Sequence, residues 1–232
     1  MKGRLLLFVC LWATPIFAQK PSKKDYLVTM KTNFGTMNAV LFDETPKHKE
    51  NFLKLVDEKF YDGLLFHRVI DAFMIQGGDP TSKTATKGQQ LGSGGDNLQR
   101  IKYEFTPAHF HKIGALAAAR DGNPEKASSA CQFYIVEGRK YTMPELEMLE
   151  KRRGTAFSAE QKLAYQNVGG TPHLDNGYTV FGQVIDNLDV LERITKQEKD
   201  RNDRPIEDIK MEISAKKMRK KKITKKFGYV YP

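Results

Sequence analysis

The sequence predicts a mainly β protein: a closed eight-stranded antiparallel barrel capped by two α-helices, with a helical-hairpin insertion. Three observations predict this fold class. Eight short runs have the residue types of strands, and only two framework segments have the period of a helix. The apolar period otherwise becomes helical only in residues 139–170. Many strands with few helices are typical of antiparallel barrels whose open ends are covered by helices.

The eight predicted strands are rich in apolar and β-branched residues and are bounded by turn residues. They are residues 26–32, 36–42, 64–70, 73–78, 114–119, 132–136, 178–185 and 206–213. Asn33, Phe34 and Gly35 separate the first two strands and predict a hairpin with glycine in the left-handed position. Residues 77–97 are rich in glycine and polar side chains, which predicts a long surface loop.

The two framework helices are predicted from their start residues and apolar spacing. Pro46, preceded by Thr45 as N-cap, occupies the first helical position of an amphipathic segment that extends to residue 60. The second helix follows Asn187 and places apolar residues inward every three to four positions. A chain of 232 residues is long enough to bury one large core.

The insertion, residues 139–170, contains two capping boxes. They begin at Thr142 and Ser158, with Glu145 and Gln161 in the reciprocal positions. The apolar face of each predicted helix is thin. We therefore predict a helical hairpin that packs on the exterior of the barrel and is too small to be a separate domain.

The N-terminal segment, residues 1–18, differs in composition from the rest of the chain. A basic start precedes an apolar run, residues 5–13, and a small-residue end. The run is too short to cross a bilayer as a helix, and the pattern matches a secretory signal peptide cleaved after Ala18 or Gln19. An uncleaved anchor and a lipid-modified Cys10 are the alternatives. The sequence therefore predicts an exported, periplasmic protein.

Removal of the signal peptide leaves Cys131 as the single cysteine. No internal disulfide is then available, even in an oxidising compartment. Cys131 lies in an apolar strand-like run, which favours a buried, inert thiol over a catalytic nucleophile.

The formal net charge of +10 is concentrated near the C-terminus. Residues 210–226 contain nine Lys or Arg and one acidic residue, Glu212. Such a run can bind nucleic acid or anionic lipid head groups. Because an exported protein meets little nucleic acid, we expect no nucleic-acid partner. We predict a solvated basic tail, residues 214–232, in weak contact with anionic membranes.

Several kinds of catalytic site lack their residues in this sequence. The histidines are scattered and lack a clustered carboxylate or cysteine that would complete a metal site. They are His48, His67, His109, His111 and His173. The glycine-rich residues 92–95 lack the Lys-Ser/Thr that follows a phosphate loop, and no Gly-x-Ser-x-Gly motif supplies a hydrolase nucleophile.

Three motifs carry the main indication of function. FHRVIDAFMIQGGD, residues 66–79, combines a lone arginine with an apolar pair and ends in Gly-Gly-Asp. ACQFYIV, residues 130–136, and LDNGYTVFGQVI, residues 174–185, follow it. With YDGLLFHRV before them and GALAAAR between them, these motifs resemble the cyclophilin family of peptidyl-prolyl cis/trans isomerases in order and approximate spacing. The resemblance covers residues 26–213 apart from the insertion.

The resemblance implies a cyclophilin-like barrel, in agreement with the fold predicted from the residues. It also implies an apolar pocket on the outer face of the barrel that receives the proline ring. Arg68 matches the catalytic arginine of the family, and Gln76 matches a residue that binds the substrate backbone. The other positions that match substrate-binding residues are Phe73, Met74, Ala119, Gln132, Tyr134, His173, Leu174 and Tyr178.

The chemistry of the X-Pro amide explains why an arginine is needed. Rotation faces a barrier of about 18–20 kcal/mol, because the nitrogen lone pair is delocalised into the carbonyl. In the twisted transition state that lone pair is localised on nitrogen and accepts a hydrogen bond. A guanidinium stabilises this state more than either planar one. We therefore interpret Arg68 as catalytic rather than as part of a structural salt bridge, and no metal or cofactor is required.

Four positions depart from the commonest pattern of the family. His173 stands where many members carry tryptophan, a substitution that goes with weak cyclosporin binding. Tyr178 stands where histidine is usual, Tyr134 replaces phenylalanine, and Cys131 stands where serine is common. None of these changes removes the arginine or the pocket, so activity is expected.

The sequence thus predicts a monomeric peptidyl-prolyl isomerase that acts on proline-containing polypeptides during the folding of exported proteins. The alternative is a non-catalytic proline-peptide binding module or chaperone. Two roles are open for the insertion: a solvated decoration, or a border of the substrate groove that selects substrates, since it enters the chain between Tyr134 and Leu174.

Overall fold

The computed structural model describes residues 22–231. The predicted signal peptide, residues 1–18, lies outside this range. Within it, no helix combines the length and the hydropathy that crossing a bilayer requires.

Eight antiparallel strands form one curled sheet in the order β3-β4-β6-β5-β7-β2-β1-β8. The strands are β1 Lys24–Thr32, β2 Gly35–Leu41, β3 Phe66–Ile70, β4 Met74–Gly77, β5 Ala115–Ala118, β6 Phe133–Val136, β7 Val180–Val184 and β8 Met211–Arg219. The two edge strands meet where Phe66 N–H donates to the Ile209 carbonyl over 2.9 Å. The mainly β, eight-stranded barrel is therefore confirmed. Its seam is closed by backbone hydrogen bonds between residues 63–66 and residues 209–211.

Within the described part of the chain, five α-helices accompany the sheet. They are α1 Pro46–Asp57, α2 Met143–Arg153, α3 Ala159–Asn167, α4 Leu188–Thr195 and α5 Lys220–Phe227. The framework helices α1 and α4 bury Phe52, Val56, Leu191 and Ile194 in the same core cluster as Phe133 of the sheet. Apolar residues at helical spacing thus give each framework helix one face that the barrel interior covers.

The helices α2 and α3 form the hairpin that the capping boxes predicted, and both boxes are present. Leu146, Phe157 and Tyr165 of the insertion pack against Phe110 on the exterior of the barrel. The hairpin is thus attached to the framework through a small apolar cluster of its own.

The C-terminal segment differs from the prediction. The last strand, predicted at residues 206–213, runs instead from Met211 to Arg219, and α5 follows in place of a solvated tail. Ile223 is fully buried against Leu27 and Val40 on the outside of the sheet. The prediction of a solvated tail was wrong because the charge of this segment was weighed without its apolar residues, which pack on the sheet.

Candidate functional site

The site is built on the outer face of three neighbouring strands. Arg68 of β3 lies opposite Gln76 of β4, and Gln76 lies opposite Tyr134 of β6. Directly opposed residues of antiparallel strands project from the same face, and so do residues two positions apart on one strand. Arg68, Gln76, Tyr134 and Met74 therefore share the outer face, while Ile75 points into the core.

A hollow of about 100 Å³ opens on this face. Its lining combines cations, an amide and apolar or aromatic side chains: Arg68, Phe73, Met74, Gln76, Ala119, Arg120, Tyr134, Leu174 and Tyr178. Eight of the ten site residues predicted from the sequence are among these, and the ninth lining residue, Arg120, was not predicted. The structure thus brings together residues that come from four separate parts of the chain.

Two predicted site residues lie beside the hollow rather than in its lining. Gln132 accepts a hydrogen bond of 3.0 Å from Gln76 Nε2 and lines the adjoining hollow together with Gln76 and Ala119. His173 is exposed and stacks on Phe73 with 5.7 Å between ring centroids. Both residues therefore contact the lining, and His173 supports the rim in place of the larger tryptophan ring.

Arg68 is placed for a ligand in the hollow, and it also has one acidic neighbour. Its side chain is 43% exposed, and Nε lies 3.5 Å from Asp203 Oδ2. Among residues 22–231 this is its one ion pair. The loop that carries Asp203 is tied to β3 by a 2.8 Å hydrogen bond from Val69 N–H to the Asp203 carbonyl. Asp203 therefore restrains the guanidinium without enclosing it.

Arg120 supplies a second guanidinium that the sequence reasoning missed. It lies over the Tyr178 ring at 4.7 Å from the centroid, and Nε donates to the Gly177 carbonyl over 2.7 Å. Its position directly after Ala119 in the GALAAAR motif was the available signal, because a residue that follows a groove position at the end of a strand lies near the groove.

The Gly-Gly-Asp end of the first motif has a structural explanation. Asp79 is fully buried and accepts hydrogen bonds from the backbone N–H groups of Thr81, Gly92 and Gly94 at 2.8, 2.5 and 3.3 Å. Burial by itself would raise the pKa of Asp79, but these hydrogen bonds and one from the Thr81 hydroxyl lower it overall. A charged Asp79 therefore holds the glycine-rich loop against the adjoining hollow, which Gly92 and Gly95 line together with Gln132.

The predicted burial of Cys131 is confirmed, and His67 is buried as well. Cys131 is 1% exposed, and burial raises the pKa of its thiol, which disfavours the nucleophilic thiolate. His67 is 3% exposed, and burial lowers its pKa to about 4, so the ring is neutral at neutral pH. Neither side chain lines the hollow beside Arg68.

Comparisons with known proteins were made on both sequence and structure. A model of the cyclophilin type peptidyl-prolyl cis-trans isomerase/CLD family matches residues 27–215. A Staphylococcus aureus protein named "Putative peptidyl-prolyl cis-trans isomerase" is 38% identical over 201 residues, which cover 85% of this chain and 95% of the relative. A "Putative bifunctional phosphatase/peptidyl-prolyl cis-trans isomerase" of Streptococcus pyogenes serotype M6 is 40% identical over 190 residues, which are 80% of this chain and 37% of that longer protein.

Solved structures that are similar to this one belong to proteins of the same type. A crystal structure of a Cryptosporidium parvum cyclophilin type peptidyl-prolyl cis-trans isomerase superposes with a TM-score of 0.61 at 25% identity, covering 83% of this chain and 98% of that one. The same enzyme in the presence of the dipeptide Ala-Pro gives a TM-score of 0.57 at 25% identity, with coverages of 81% and 97%. Because the family model spans nearly the whole barrel, the chain belongs to the cyclophilin-type peptidyl-prolyl cis-trans isomerases.

Proposed function

We propose that this enzyme catalyses the cis/trans isomerisation of X-Pro peptide bonds in the hollow beside Arg68. The observation that carries the proposal is the placement of the Arg68 side chain in the same small hollow as Phe73, Met74 and Leu174. An apolar recess next to a guanidinium can bind a pyrrolidine ring and place a cation near its nitrogen at the same time.

The apolar side of the hollow is the proposed proline site. Phe73, Met74, Tyr134 and Leu174 belong to one cluster on the outer face of the sheet, with the aromatic ring of Tyr178 beside them. Such a surface favours a saturated ring over a charged group because its binding removes apolar area from water. The crystal structure of the Cryptosporidium parvum relative in the presence of Ala-Pro supports a ligand of this chemical class.

Arg68 is the proposed catalytic residue. As the X-Pro bond twists, a donor of the guanidinium hydrogen-bonds the imide nitrogen, whose lone pair is available only out of the planar state. The ion pair with Asp203 limits the positions that the guanidinium samples, which reduces the entropy lost when it meets the substrate. Gln76, opposite Arg68 on the neighbouring strand, is placed to bind the peptide backbone.

The test is two-dimensional exchange NMR on a short X-Pro peptide with a substoichiometric amount of the protein. We expect exchange between cis and trans signals to become fast enough to give cross-peaks, since uncatalysed interconversion takes tens to hundreds of seconds. A peptide with alanine in place of proline is the control for binding. Chemical-shift changes on binding with no exchange cross-peaks would select the rival function, a binding module or chaperone.

We propose further that the enzyme acts on exported polypeptides in the periplasm. The support is the composition of residues 1–18, a basic start followed by an apolar run and small residues. N-terminal sequencing of protein isolated from the envelope fraction should find Gln19 or Lys20 as the first residue. Protein recovered from the cytoplasm with its first eighteen residues intact would contradict export.

A weak contact with anionic membranes is proposed for the basic C-terminal segment, which we define by the exposed cations of β8 and α5. They are Lys216, Lys217, Arg219, Lys221, Lys222, Lys225 and Lys226. Among residues 22–231, none of these side chains forms an ion pair with a carboxylate; Lys220, beside them, pairs with Asp43. Because Ile223 is used in the barrel contact, the attraction to lipid is electrostatic.

Replacing the four exposed lysines of α5, at positions 221, 222, 225 and 226, by glutamine should weaken binding to phosphatidylglycerol vesicles at least tenfold at low salt. Each lysine near such a surface contributes on the order of 1 kcal/mol. Glutamine at four exposed lysines elsewhere, at positions 54, 59, 83 and 87, is the matched control. Vesicle binding by sedimentation should also fade as salt increases, and salt-insensitive binding or equal losses in both variants would refute the proposal.

A further inference from the structure

We propose that the helical insertion holds the proline pocket in shape through a buried chain of hydrogen bonds that ends on Tyr134. In this chain Tyr165 and Asp175 are positioning residues for the isomerase. The inference rests on the proposed assignment of the hollow beside Arg68 as the proline site, and it gives the insertion a role that neither a solvated decoration nor a groove border describes.

The insertion acts from behind the pocket. None of the residues 139–170 lines the hollow beside Arg68 or the adjoining hollow beside Gln132. Instead, α3 reaches under the pocket with Tyr165, which is fully buried. Any influence of the insertion on the pocket must therefore pass through intervening residues.

Four buried side chains connect α3 to the pocket wall. The Tyr165 hydroxyl donates to Asp175 Oδ2 over 2.7 Å, and Asp175 Oδ1 lies 2.8 Å from His111 Nδ1. His111 Nε2 lies 2.9 Å from the Tyr134 hydroxyl. All four residues are between 0% and 6% exposed, so water does not compete for these bonds.

The direction of each bond follows from the donors available. Both oxygens of Asp175 accept hydrogen bonds, Oδ1 from the His111 backbone N–H over 3.0 Å and Oδ2 from Tyr165. We therefore assign the proton of the His111 ring to Nδ1, which donates to Asp175 Oδ1. In the proposed chain of hydrogen bonds the other ring nitrogen, Nε2, carries no proton and is an acceptor. Tyr134 therefore donates its hydroxyl hydrogen to His111, and its hydroxyl is directed away from the hollow that its ring lines.

A second attachment secures the other wall of the pocket. Arg153, in the last turn of α2, donates through Nη1 to the Pro172 carbonyl over 2.6 Å and through Nη2 to the Asp175 carbonyl over 2.5 Å. These carbonyls flank Leu174, which lines the hollow. The insertion thus restrains both Tyr134 and Leu174, and a wall that is ordered before the ligand arrives loses less entropy on binding.

The chain also explains why tyrosine stands at position 134, where the family commonly has phenylalanine. With phenylalanine, His111 Nε2 would be a buried acceptor that has lost its hydrogen-bond partner. In this protein the tyrosine at position 134 is therefore the partner that the hydrogen bonds from the insertion require.

The first test is Tyr165→Phe, which removes one hydroxyl without creating a cavity. We expect KM for an X-Pro peptide to increase about fivefold with kcat within twofold, because the pocket wall binds the ring in ground and transition states alike. Tyr141→Phe is the matched control: Tyr141 packs on Tyr165 in the same cluster, and its hydroxyl is not part of the chain. An unchanged KM for Tyr165→Phe, as for the control, would overturn the proposal.

A double-mutant cycle with Tyr134→Phe separates positioning from general stability. If Tyr165 acts through the Tyr134 hydroxyl, Tyr165→Phe should change KM less than twofold in the Tyr134→Phe background. A fivefold increase in both backgrounds would show that the chain does not transmit the effect. The tautomer of His111 in the unaltered protein, read from its ring ¹⁵N shifts, is an independent measurement: a proton on Nε2 in place of Nδ1 would overturn the proposal.

Failure of the chain and failure of the pocket assignment give different results. If the hollow is the proline site but the chain of hydrogen bonds does not position its wall, Phe73→Ala raises KM while Tyr165→Phe does not. If the hollow is not the proline site, neither Phe73→Ala nor Tyr165→Phe changes KM.

Discussion

Replacing Arg68 by alanine should lower kcat/KM for X-Pro isomerisation about hundredfold. A hydrogen bond that forms only in the twisted transition state affects kcat and not substrate binding, and losing one such donor typically costs about 2.7 kcal/mol or more. Because the apolar lining remains in place, KM should stay within twofold of its original value. A loss in kcat/KM of less than tenfold would remove Arg68 from its proposed role.

Two matched variants sharpen this experiment. Arg68→Lys keeps the positive charge but loses the planar fork of donors, so an intermediate loss is expected. Arg152→Ala removes an exposed arginine from α2 and serves as the control for net charge. Stability should change little in Arg68→Ala, because the ion pair that it breaks with Asp203 lies at the surface: the two side chains are 43% and 40% exposed. Reduced activity can then be assigned to catalysis and not to unfolding.

Replacing Gly78 by alanine should destabilise the folded protein by about 3 kcal/mol or more. Gly78 has φ +93°, a backbone conformation that other residues rarely adopt. An alanine Cβ would also lie 2.2 Å from the Cys131 carbonyl oxygen and 3.0 Å from the Gln132 Cα. These are backbone atoms at the entrance to β6, which is bonded on both sides, so they cannot move aside as a flexible side chain would.

Gly88→Ala is the matched control for this substitution. Gly88 has φ +76°, and its added Cβ would meet no atom within 4 Å. Gly88→Ala therefore introduces the same backbone strain without the clash, and should lower the free energy of unfolding by about 1 kcal/mol. Urea unfolding followed by circular dichroism measures both. Equal losses would mean that the close approach to Cys131 is not what requires glycine at position 78.

Local sequence signals were sufficient for most of the framework. Both capping boxes of the insertion appear where Thr142 and Ser158 predicted them, because capping depends on residues within one turn of helix. The two strands within FHRVIDAFMIQGGD were likewise predictable, and from Arg68 onward the side chains of each strand alternate between the outer face and the core. A register shift between Phe66 and Arg68 interrupts this alternation at the start of β3. The C-terminal helix was missed because its apolar residues dock on strands from the opposite end of the chain.

Some residues of the candidate site could also be predicted from the sequence, and others could not. Motif order placed eight of the ten named residues in the lining of one hollow. Arg120 carried a weak signal next to Ala119, whereas Asp203 and Tyr165 carried none. Their roles arise from contacts with Arg68 and Asp175 that no spacing along the chain expresses.

The sequence by itself determined the β-rich architecture, the helical insertion, and the arginine and apolar residues of the isomerase motif. These features depend on residue type and short-range periodicity, which are written along the chain. Only the tertiary structure decided that Asp203 restrains the guanidinium of Arg68, that the basic C-terminal segment docks as a helix, and that the insertion reaches Tyr134 through Asp175 and His111. Hydrogen bonds and ion pairs between distant segments depend on distance and direction in space, which exist only once the chain has folded.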